Sequence, residues 1–185
     1  MTFTRVGDIL YFAPKYKFRD LRWDDKHTMV DAFKDRVREF YLQPAAKLNK
    51  DKEAFAAGVL CATTVDFLAK ISIGGNTGER IKKWLGANII EFGDSELARR
   101  FYEDFRNGLV HEGRIKNVGQ FSYEYDDLIT HLNGVMVVNP RVLLERIESS
   151  VERYVNELQN DGPAYRRFWS TLKKDFRKDV ELALR

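Results

Sequence analysis

The sequence predicts an all-α fold, a bundle of five or six helices with one small inserted β-hairpin. Three observations carry that prediction. Apolar residues recur at three- and four-residue spacings through several long segments, Gly and Pro gather in short clusters between those segments, and only two stretches have β character. At 185 residues, 44% hydrophobic and 13% aromatic, the chain fits a single domain over 1–185 with a substantial core.

The elements follow in order. Ile9-Leu10-Tyr11-Phe12 tends to β structure and leads through Pro14 into the basic aromatic stretch Lys15-Tyr16-Lys17-Phe18-Arg19, so residues 1–20 are expected as a short strand or an extended arm. A first helix is expected from about Asp25 to Gln43 on Met29, Phe33, Val37, Phe40 and Tyr41, with Pro44 ending or kinking it. A second, from about Lys52 to Ile73, is apolar nearly all round and should be central in the bundle. Gly74-Gly75-Asn76-Thr77-Gly78 breaks the chain, and Glu79 to Leu85 reads as a short helix bearing Arg80, Lys82, Lys83 and Trp84.

Ser95 to Arg114 is helical in pattern. Ser95 is placed as N-cap, Glu96 falls in the first turn, and Leu97, Phe101, Phe105, Leu109 and Val110 form an apolar stripe. Residues 121–138 change character: Phe121-Ser122-Tyr123-Glu124-Tyr125 alternates, Asn133-Gly134 signals a type I′ turn, and Val135-Met136-Val137-Val138 is rich in β-branched residues, which predicts the hairpin. Asn139-Pro140 opens a helix to about Leu158, and Gly162-Pro163 opens another to the carboxyl end.

Composition bounds the function. A net charge of +3 and a pI of 8.9 permit an RNA partner without supplying the basic field that would announce one. The single cysteine, Cys61, lies in an apolar run and reads as a buried reduced thiol. No signal-peptide pattern opens the chain and no stretch approaches the 18 apolar residues of a membrane span, so a soluble, cytoplasmic protein with no membrane partner is expected. His27 and His131 have no metal-ligand spacing, and neither metal nor cofactor is expected.

Chemistry concentrates in Arg106-Asn107-Gly108-Leu109-Val110-His111. Arg, an amide and His are side chains that bind a phosphate and move its protons, and Asn107 and His111 stand at i, i+4 on one helical face. Gly108 costs about 1 kcal/mol against Ala within a helix and admits a close neighbour, for which a helix-helix contact is the expected reason. Asp66 is a carboxylate inside the most apolar helix and needs a partner, either in a structural ion pair or by orienting Arg106 or His111. Glu103 is the other supporting candidate, and it or Asp104 could pair with Arg106. Lys15 and Lys17, and Arg80, Lys82 and Lys83 beside Trp84, are candidate RNA contacts, although such charges more often solvate a face.

Arg106-Asn107-x-x-x-His111 resembles the R-x(4–6)-H signature, with a polar residue after the Arg, of the HEPN superfamily of small helical domains. The match is sharp over about Phe101 to Arg114 and extends elsewhere only to helix order. The resemblance implies a HEPN-type bundle, a metal-independent endoribonuclease with Arg106, Asn107 and His111 as catalytic residues, and a homodimer in which two motifs meet. It also implies a role as a toxin or phage-defence effector, with an antitoxin or other defence-system protein as partner. The chemistry it implies is attack by the RNA 2′-hydroxyl on the adjacent phosphorus. A catalytically silent module that binds nucleotide or RNA, or one that only dimerises, uses the same three residues to grip phosphate or to complete a polar interface.

Overall fold

The computed structural model describes residues 5–184, so the first four residues of the expected arm lie outside it. The described chain is mostly helical with two small three-stranded sheets. It divides into two compact units, one of residues 5–43 and 152–184 and the other Pro44–Val151.

In the first unit the expected arm is a sheet: β1 (Arg5–Val6), β2 (Ile9–Ala13) and β3 (Tyr16–Lys17) run antiparallel in that order. Helix α1 (Lys26–Val37) starts where the Asp25 carboxylate accepts the amide hydrogens of His27 and Thr28. Pro44 does not end this helix. A π-helical turn, Arg38–Leu42, routes the Gln43 amide to the Arg38 carbonyl, and the helix runs on as α2 (Gln43–Lys50). A π turn shifts the register by one residue, which accommodates a residue that has no N–H to give. Asp161 caps α8 (Gly162–Asp175), and the expected last helix breaks at Phe176, beyond which α9 (Arg177–Ala183) follows. The core of this unit is aromatic, with Phe12 edge-on to Phe18 and Phe176 and Phe33 edge-on to Phe168.

The second unit holds the motif. Helix α3 (Ala54–Ser72) packs on α4 (Thr77–Asn88), which is opened by Asn76 and is longer than its sequence pattern suggested. The motif helix is α5 (Ser95–Arg100), a π-helical run Phe101–Asn107, and α6 (Gly108–Glu112), which ends on left-handed Gly113. Its cap is Asp94, whose side chain accepts the Glu96 amide, and not Ser95. Phe101 and Phe105 stack at 5.5 Å, and Phe92 and Phe121 extend that cluster at either end.

The hairpin forms as expected at its turn, where Asn133 and Gly134 both take the positive φ that type I′ requires. Its strands are β5 (Ile129–Leu132) and β6 (Val135–Val138). The alternating segment is a strand only at β4 (Gln120–Phe121), which pairs parallel with β6 and not across a hairpin. Phe121 instead fills the space above Gly58, where a Cβ would lie 2.2 Å from its ring. Asn139 caps α7 (Pro140–Asn160) through the amides of Arg141 and Val142. Counting α1 with α2 and α5 with α6, the described residues form seven helices, one more than the expected maximum.

Helix α3 departs from expectation in two respects. It is 19 residues long, and an 18-residue window of it has a mean hydropathy of 1.6, which makes it long and apolar enough by composition to cross a membrane, contrary to the reading that no stretch comes near. Its isolated polar residues, Asp66 and Lys70 among them, interrupt the apolar run without lowering its average enough. Only half of that window is buried, and Phe55 is 52% exposed, so α3 is not enclosed all round.

Candidate functional site

Arg106 closes the π-helical run, with its side chain lying across to α3. Its Nε and Nη2 donate to Asp66 Oδ2 at 3.0 and 2.5 Å, while Arg80 Nη2, from α4, donates to Asp66 Oδ1 at 2.8 Å. The three side chains are between 12% and 19% exposed. One carboxylate therefore holds two guanidinium groups, leaving a net charge of +1 at a largely desolvated place. Asp66 finds its partner in Arg106, and the Glu103 and Asp104 pairings expected of Arg106 do not occur.

Two hydrogen bonds to a single oxygen fix the plane of the Arg106 guanidinium and leave donors in reserve. Nη1 stands 3.5 Å from the Asn107 side-chain oxygen, at the limit of a hydrogen bond. Asp66 and Arg106 line a cleft of about 110 Å³ with Val59, Ala62, Thr63, Leu109 and Val110. Its walls are chiefly apolar, which strengthens any charge interaction made within it.

His111 lies one turn beyond Asn107 on α6, is exposed, and has no hydrogen-bond partner among the described residues. It does not line the Arg106 cleft, and neither does Asn107, so one chain does not bring all three motif residues around one cavity. The apolar stripe ends early: Phe101 and Phe105 are fully buried, but Val110 is 59% exposed beside the cleft.

The close neighbour of Gly108 belongs to the same chain. A Cβ there would lie 2.5 Å from the Arg114 carbonyl oxygen and 3.1 Å from the Lys116 side chain, so the loop after α6 fills this space and no second helix is required. That loop is tied down by Asp104, which the sequence offered only as a partner for Arg106. Buried Asp104 accepts from the Asn117 amide at 2.7 Å through its side chain and from the Lys116 backbone at 2.8 Å through its carbonyl. Asn117 and Val118 are both left-handed, an uncommon conformation for a β-branched residue. Lys116, hydrogen-bonded to Glu112 with Arg114 alongside, holds the Glu112 carboxyl below its usual range.

The remaining candidates are elsewhere. Glu103 is exposed and pairs with Arg99, because the π-helical run turns it away from Arg106. Arg80 is not spread on the open surface; Asp66 and the Gly75 carbonyl hold it inward. Lys82 pairs with Glu79, and both line an outer cleft with Lys83. Lys15 and Lys17 belong to the other unit, where Lys15 lies 3.8 Å from Asp35. No family model, curated protein or solved structure matches this chain. The HEPN resemblance accordingly rests on the motif and its surroundings.

Proposed function

We propose that the protein is a metal-independent endoribonuclease of HEPN type, acting as a homodimer. The observation that carries this reading is Arg106, anchored through one edge by Asp66 with donors left over beside a small cleft, and followed on the same helix by an unengaged His111. Arg106 stabilises the charge of the pentacoordinate phosphorus, Asn107 orients the phosphate or the histidine, and His111 carries protons. The RNA 2′-oxygen forms a bond to phosphorus as its proton leaves to a base, and the bond to the 5′-oxygen breaks as that oxygen gains a proton. The products are a 2′,3′-cyclic phosphate and a 5′-hydroxyl end.

Gly108 lends the dimer no support, because its close neighbour is the loop of its own chain. The dimer's support is exposed apolar side chains on α3 and α6, Phe55 near the start of α3 and Val110 at the Arg106 cleft, where His111 of a second copy would complete the group. The separation of His111 from the cleft within one chain equally suits the alternative, a module that binds nucleotide or RNA without cutting it. An RNA carrying a single 2′-deoxy nucleotide distinguishes the two. The nuclease leaves that position uncut and cyclic phosphate at all others, whereas cutting at the deoxy position, or binding with no cutting anywhere, refutes the nuclease. Light scattering that shows only monomer at micromolar concentration refutes the dimer. As a toxin or phage-defence effector the enzyme would act on cellular RNA under restraint by an antitoxin, and growth arrest on expression, abolished in His111→Ala, tests that role.

A further inference from the structure

Arg80 spends its two terminal nitrogens inward, Nη2 on Asp66 and Nη1 on the Gly75 carbonyl at 3.2 Å, and its Nε is buried with no partner. An unsatisfied buried N–H costs about 1–3 kcal/mol, and a buried ion pair is seldom a net source of stability. A second guanidinium is therefore a poor device for holding α3 to α4, where apolar residues would serve. Its effect on Arg106 is plainer. Without Arg80 the Asp66 carboxylate would neutralise Arg106 one for one, and a neutral pair has little attraction for an anion; with Arg80 the group keeps a net positive charge while Asp66 still fixes the Arg106 plane.

We propose that Arg80 is a positioning residue of the phosphate site: by sharing Asp66 with Arg106 it keeps that carboxylate from cancelling the Arg106 charge, and so sets the affinity for a phosphodiester. The proposal rests on the nuclease reading for its substrate, but its test does not need cleavage. The probe is a 2′-O-methyl RNA oligonucleotide, which has no free 2′-hydroxyl to attack, with binding followed by fluorescence anisotropy. The same variants are assayed in parallel for cleavage of ordinary RNA.

R80M should weaken binding about tenfold, as expected for one unit charge removed at short range, and R80K should recover most of it. Adding D66N to R80M should restore binding to within about threefold of the wild type, because the neutralising carboxylate has gone with its counter-charge. Cleavage should stay low in the double variant, because Arg106 has lost its anchor. Recovered affinity without recovered turnover is a split that a merely structural Arg80 does not produce. R80M binding like the wild type, or the double variant binding no tighter than R80M, overturns the proposal. If R80M does not fold, R80K against R80Q makes the same charge comparison, and equal affinity of those two overturns it. Wild-type protein that binds the probe but cuts no RNA refutes the nuclease reading alone and leaves the binding result decisive.

Discussion

Arg36 and Arg106 stand at the two π-helical segments of the chain, and they are held in opposite ways. Arg36 lies in α1, two residues before the Arg38–Leu42 turn. Its guanidinium lies 4.8–5.2 Å from the ring centres of Phe12, Phe40 and Phe176, it donates to the Phe12 carbonyl, and its Nε is buried without a partner. Burial pulls its pKa below the ordinary arginine value. Arg106 is anchored along one edge by a carboxylate, and it lines a cleft. A π turn near a basic residue is therefore no mark of function by itself; what separates the two is that Arg106 borders a cleft once it is fixed, whereas the leftover donor of Arg36 is buried.

The two arginines should fail differently. Arg106→Ala should lower RNA cleavage by at least about 10²-fold while the fold survives, since Asp66 keeps Arg80 as its partner. Arg36→Ala should cost about 3 kcal/mol, from lost cation–π contacts and a stranded carbonyl, and leave cleavage per folded molecule unchanged. Melting curves and turnover measured on both variants check this, and the reverse pattern would break the comparison.

Asn107→Ala should slow cleavage by only about tenfold, because water can replace an amide that sits 3.5 Å from Arg106. Gly58→Ala is the structural counterpart in the same unit. Its Cβ meets the Phe121 ring, a core group with nowhere to go, so it should lose about 1–3 kcal/mol in denaturant unfolding with no direct effect on chemistry.

Cys61 gives the smallest effect. Burial pushes its thiol up to about 12 from 9.0, with Glu148 adding to the rise, so the folded protein should resist thiol reagents at pH 8 and react on unfolding. Because the folded-state value is the raised one, its share of stability is complete below about 9 and is lost as the pH climbs toward 12. Rapid labelling of folded protein would contradict the buried placement.

Local signals in the sequence went far. Asp25, Asn139, Gly162-Pro163 and the Asn133-Gly134 turn each locate an element boundary through a residue whose chemistry suits that position. That Asp66 needed a partner, with Arg106, which the structure supplies, among the alternatives, was legible because a lone carboxylate in an apolar helix demands one. Arg80 was not, since Arg80, Lys82 and Lys83 look alike in a basic cluster and only the packing of α3 on α4 turns one of them inward. The π-helical run has no periodicity of its own, so the pairing of Glu103 with Arg106 and the place of Val110 in the apolar stripe were read on an α-helical register that the chain does not keep. Gly108 shows the same limit: the close approach was foreseen, and its source was not, because a loop returning on its own helix leaves no spacing to read.

The most direct measurement is cleavage of bulk cellular RNA in EDTA by the wild type and by His111→Ala. The wild type should cut undiminished in the chelator and leave 2′,3′-cyclic phosphate ends, and His111→Ala, with its exposed side chain and intact fold, should be at least about 10²-fold slower. Cleavage that persists in His111→Ala, or that stops when EDTA is added to the wild type, would contradict the proposed mechanism.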